Sequence, residues 1–230
     1  MTPVKTTKER AFRVLGLAAI LLASLTSYAQ IQQTTEPNSD FATKALANYV
    51  ATVVTERNVR GLGFKDITEA KFATLGEPIK VTFVGLRDLR AYSEEKPVTS
   101  IIRDAQALWY PVLVSGKARA KLEVLRVDGK PVAGEFGSPI STSAISSVVQ
   151  ELPDSLGANE TIGTYTLTLL KIPILNAQFI HISTTDIDYL IPAVIDAELY
   201  KVEIGKAYPA NVLLDRLKEF AQEIDENKLM

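Results

Sequence analysis

Tyr110 to Phe136 reads YPVLVSGKARAKLEVLRVDGKPVAGEF, and its reading decides the fold class. Asp128-Gly129 is the signature of a two-residue type I′ turn, in which both central residues take positive φ, so it joins two antiparallel strands directly. Ser115-Gly116 marks a second turn upstream. Three strands are therefore expected, at Tyr110–Val114, Lys117–Val127 and Pro131–Phe136. In the second, Ala118, Ala120, Leu122 and Val124 share one parity, whereas Leu125 and Val127 take the other. Side chains alternate between sheet faces with a period of two, so this switch predicts a β-bulge near Val124–Leu125.

Working outward, Ser138-Pro139 opens a helix running to about Leu152, where Pro153 closes it. Upstream, helical spacing of Phe41, Ala45, Leu46, Tyr49, Val50, Val53 and Val54 after Ser39 predicts a helix over 39–56. Ile79–Val84 alternates as a half-buried strand, and Val98, Ile101, Ile102, Ala105 and Leu108 suggest a helix over 97–108. Downstream, strands are expected at Tyr165–Leu170, Ile174–Ser183, Tyr189–Ile195 and Leu199–Ile204. A final helix after Pro209 carries the stripe Leu213, Leu214, Leu217, Phe220, Ala221 and Ile224. Hairpins followed by single helices give an α+β class, with antiparallel β-hairpin sheets and segregated packing helices. The polar stretch 154–163 divides an N-terminal α+β subdomain (39–153) from a C-terminal one (154–230). Both run hairpin strands then helix, although their residues do not align.

The 230 residues carry 25 Lys and Arg against 27 Asp and Glu, a formal charge of −2 that gives no bulk basis for nucleic-acid binding. There is no cysteine, which excludes disulfides, thiolate metal sites and a Cys nucleophile; one histidine excludes a multi-His cage. No cofactor is expected.

At the front stand Lys5, Lys8, Arg10 and Arg13, then the uncharged run VLGLAAILLASLT from Val14 to Thr26, then Ser27-Tyr28-Ala29. A basic stretch, a short apolar run and a small-x-small end make a secretory signal peptide over 1–29, cut between Ala29 and Gln30. The run is shorter than the roughly 20 residues that span a bilayer. Removing 1–29 takes away four bases and Glu9, a net of three positive charges, so −2 becomes −5. A secreted or periplasmic protein follows, without stable membrane insertion, preceded by a flexible linker over 30–38. Asn159-Glu160-Thr161 would be a glycan acceptor only in a eukaryotic secretory route.

Lys117, Arg119 and Lys121 share strand parity, with Glu123 next, and could hold an anionic ligand or the acidic face of a partner, with Trp109 and Tyr110 at the strand entrance. The bland alternative is a solvated outer face whose bases discourage edge-to-edge pairing. His181 shares parity with Phe179, and Asp186 and Asp188 lie close in sequence, which allows a general base or a hard-ligand metal site. The serines of SPISTSAISS (138–147) lack a nucleophile elbow and read as capping residues. Glu94-Glu95 reads as a charged loop, and GLGF at 61–64 as a glycine pair ending the first helix. Function is thus expected to be binding, to another protein and without enzymatic activity. The alternatives are a carrier of a small apolar ligand, suggested by the apolar runs 172–182 and 189–195, and a secreted hydrolase using carboxylates.

Overall fold

A computed structural model describes residues 39–152 and 165–224. The expected signal peptide, the expected linker, the sequon and the whole polar stretch 154–163 lie outside them. Five α-helices are described: α1 (Ser39–Thr52), α2 (Ile67–Ala70), α3 (Leu86–Arg90), α4 (Pro139–Gln150) and α5 (Ala210–Glu223). The strands are β1 (Thr74–Leu75), β2 (Ile79–Phe83), β3 (Arg103–Val114), β4 (Lys117–Val127), β5 (Lys130–Gly137), β6 (Thr166–Ile172), β7 (Ala177–Ser183), β8 (Asp188–Val194) and β9 (Tyr208–Pro209).

All nine strands join one sheet in the order β5-β4-β3-β2-β6-β7-β8-β9, with β1 pairing the far end of β3. Every pairing is antiparallel except β2 with β6. The α+β class with separately packed helices is what the structure has. Residues on either side of 153–164 meet in this single sheet through the parallel β2–β6 contact.

Helices cover both faces. On one, Ile145 and Val148 of α4 pack with Trp109, Val81, Leu169, Ile180, Ile182 and Ile191. On the other, Ala42, Ala45 and Leu46 of α1 lie over Tyr110, Val112, Leu122 and Val124. There Leu213, Leu214, Leu217 and Ala221 of α5 lie over Leu170, Ile172, Phe179 and Leu190. Strands buried on both faces read as continuous apolar runs, which explains residues 172–182 and 189–195 without a ligand cavity. The helices following the two hairpin sets, α4 and α5, pack on opposite faces. The shared order of elements is therefore not a repeated arrangement.

The turns are as expected: Asp128 and Gly129 have φ of 49° and 75°, and Ser115 and Gly116 have 50° and 74°. Four expectations are corrected. Residues 97–108 are not a helix; Val98–Ser100 is one 3₁₀ turn, and β3 begins at Arg103. Ala105, Ala107 and Trp109 face α4, so the apolar residues alternate as a strand's do, interrupted by an irregularity where Gln106 takes φ 51°. Leu199–Ile204 forms turns, its Val202 N–H bonding Ala197 O. The parity switch at Leu125 arises because β4 is covered on both faces, with Leu125 packing toward α4. The irregularities lie instead between Leu122 and Val124 against β5, and between Val112 and Leu113 against β3. Finally, α1 ends at Thr52, and Gly63 sits in turns beyond it with φ 103°, where a Cβ would stand 2.0 Å from Arg119 O.

Candidate functional site

The basic row on β4 is not a continuous outer face. Lys117 is exposed beside the β3–β4 turn, in an open groove of about 220 Å³ with Ser143, Ser146, Ser147 and Gln150. Arg119 is half-buried and meets Glu69 at 3.2 Å. Lys121 is only 4% exposed. Its Nζ lies 2.7 Å from Glu135 Oε2 and 3.6 Å from Glu123 Oε1, and Lys171 donates to Glu123 as well. Ser138 Oγ donates to Glu135. Burial pushes the Glu135 carboxyl up, but the hydrogen bonds from Lys121 and Ser138 outweigh it and hold it below its usual range. Two cations and two anions thus satisfy one another in this cluster. Trp109 and Tyr110 are both buried, on opposite faces of β3, and belong to two different cores.

Ser138 takes a left-handed conformation and does not cap α4 with its side chain; its carbonyl instead receives the hydroxyls of Ser141 and Thr142. Glu94 and Glu95 are exposed in a turn, as expected of a charged loop.

A second polar cluster crosses the face shared by α1 and α5. Strand register lines up Leu108, Lys80, Thr168, His181 and Leu190 on neighbouring strands β3, β2, β6, β7 and β8. His181 is 5% exposed. Its Nδ1 is 3.3 Å from Thr168 Oγ1, and its Nε2 is 3.2 Å from Asp188 Oδ1. Thr168 Oγ1 is in turn 3.4 Å from Thr82 Oγ1, and Thr82 is buried. The contact with His181 is the main cause holding the Asp188 carboxyl below its usual range; burial opposes it and Ser183 assists.

Lys80, exposed at the gap between the helices, pairs with Asp104 at 2.7 Å. A shallow cleft of about 110 Å³ opens beside it, lined also by Gln106, Leu108 and Arg126. Burial pushes Asp104 up, but Lys80 and the Gln106 N–H bind it and hold it low.

Of the expected metal trio, the structure brings His181 and Asp188 together, whereas Asp186 is exposed in the β7–β8 turn. Among the described residues no group of three or more His, Cys, Asp or Glu is placed to hold a metal ion. The partners that sequence reading missed are Thr168 and Thr82. Parity on Ile79–Val84 and Tyr165–Leu170 marks each as a polar residue on a strand, but only the β2–β6 pairing brings them beside His181.

Compared with family models, with curated proteins and with solved structures, the chain has no match in any of the three.

Proposed function

We propose that this is an exported binding protein of the bacterial cell envelope or exterior that engages another protein through the end of its β4–β5 hairpin. The observation that carries the reading is an exposed apolar pair on the edge hairpin of the sheet: Val127 and Val132 are 50% and 43% exposed. Val132 lies opposite Leu125, so it shares a face with Leu125 and Val127. Lys130 stands opposite Val127, and Arg126 lies between Leu125 and Val127 on the other face. An apolar pair with Lys130 beside it fits a partner with an apolar contact and an acidic rim.

Side chains, rather than the strand ladder, would make the contact. Counting from the two-residue turn, Val127 and Lys130 form a hydrogen-bonded pair, which leaves Pro131 with its backbone nitrogen turned outward. Proline has no N–H to offer there. Further along β5, the Tyr49 hydroxyl already donates to Gly134 O at 2.7 Å. Such an edge resists strand addition.

The carrier alternative has less support, because Ile145 and Val148 of α4 fill the space against Trp109 and Ile180. No helix among the described residues is long and apolar enough to cross a membrane. The test is a photocrosslinking residue placed at Val132 or Val127 in the full chain, expressed in its native host. A partner adduct is expected at both positions, absent from exposed Thr43 on α1, and lost from position 132 when Val127→Asp is added. Equal adducts at Thr43, or none at the hairpin, would overturn the assignment.

A further inference from the structure

Thr168, His181 and Asp188 form a hydroxyl–imidazole–carboxylate line, and we propose that it makes Thr168 a nucleophile toward ester carbonyls. This is independent of hairpin docking, which uses the β5 edge of the sheet, with β4, β3 and β2 between it and β6. The tautomer follows from the partners. An ionised Asp188 only accepts, so the neutral ring carries its hydrogen on Nε2 and turns the Nδ1 lone pair to the Thr168 hydroxyl 3.3 Å away. A nucleophile within reach of a base, with the base held by a third group, is the recurrent arrangement of covalent catalysis. Separations slightly beyond 3 Å are ordinary before substrate binds.

The surroundings suit the chemistry. Thr168 is half-buried and so retains some exposure, whereas His181 and Thr82 are buried. Lys80 is its direct neighbour on β2, and Thr82 Oγ1 lies 3.4 Å from the nucleophilic oxygen. In the reaction, Thr168 Oγ bonds to the carbonyl carbon as its proton passes to His181 Nδ1, and the carbonyl π electrons move onto oxygen. The Thr82 hydroxyl is the donor beside that oxyanion. When the carbonyl reforms, the ester C–O bond breaks and the leaving alkoxide takes the proton from Nδ1. Water repeats the sequence on the acyl–threonine and returns Thr168 to its free form.

The experiment incubates the full chain with an alkyl fluorophosphonate. The reagent forms a phosphonyl–oxygen bond and expels fluoride, and peptide mass spectrometry locates the adduct. One adduct is expected, at Thr168. Thr168→Val should abolish it, Thr168→Ser should retain or accelerate it, and Thr166→Val, on the same strand, should leave it unchanged. His181→Gln should slow labelling at least tenfold, with circular dichroism confirming its fold; should it unfold, Asp188→Asn serves the same purpose. No adduct on the native chain, an adduct elsewhere, or an unchanged rate in the folded His181 or Asp188 variant would overturn the proposal.

Discussion

Lys121 and Glu135, on neighbouring strands β4 and β5, close a 2.7 Å ion pair whose cation is buried and whose anion is half exposed. The asymmetry decides what mutation does. Removing the lysine lets Glu135 turn to water, but Glu123 keeps only Lys171 for company in a largely dry site. Lys121→Met should therefore destabilise the fold by about 2 kcal/mol in urea unfolding, and adding Glu123→Gln should recover about half. A loss below about 0.5 kcal/mol would mean that the cluster contributes no more than surface charges do.

Gly63 and Gly116 separate two reasons for glycine. At Gly116, with φ 74°, a Cβ meets nothing within 4 Å, so Gly116→Ala should cost about 1 kcal/mol from backbone strain alone. At Gly63 the same change adds a collision with the Arg119 carbonyl, and about 3 kcal/mol or more is expected. Thermal melts of the two variants give the ranking directly; equal melting temperatures would show that the 61–64 turns do not pack on β4 as described.

Acid should unfold the protein through three carboxyls. Asp188, Asp104 and Glu135 are all held below their ordinary values in the fold. Groups of this kind stabilise the native state above the unfolded carboxyl range, near pH 4, and the contribution disappears as pH falls through the lowered folded values. Stability should be level near neutrality on their account and decline below about pH 4.5. Asp188→Asn should make the decline shallower in urea midpoints measured from pH 3 to 7; an unchanged slope would refute its share.

Export is checked by intact mass. Protein recovered from the envelope or medium should begin at Gln30, and chain retaining residues 1–29 in the membrane fraction would contradict the leader reading.

Local chemistry made much of this legible beforehand. Asp128-Gly129 and Ser115-Gly116 specify turns whose φ values leave few residues a choice, so the β3–β4–β5 meander follows from the sequence itself. Leu213, Leu214 and Leu217 likewise announce α5. What stayed hidden depends on partners far along the chain. Ala105 and Ala107 read as part of a helix because only pairing with β2 makes them strand. Lys121 looked like a surface base because its counter-ion Glu135 and the second cation Lys171, which shares Glu123 with it, come beside it only once the strands pair. Thr168 carried no signal, since a threonine on a strand is ordinary until a histidine stands opposite it.

The parallel seam between β2 and β6 has a kinetic meaning. Thr82 and Thr168 meet across it from 86 positions apart, and such a contact forms only after a long loop has closed, which slows folding. Until the second half of the chain is present, β2 has one neighbour and the sheet is split at its middle. Under the proposed export, a chain passed through a membrane in extended form cannot close its central seam on the near side before the rest has been made. Late closure would keep it threadable, and the same strand pair that unites the finished sheet would act as the timer of its assembly.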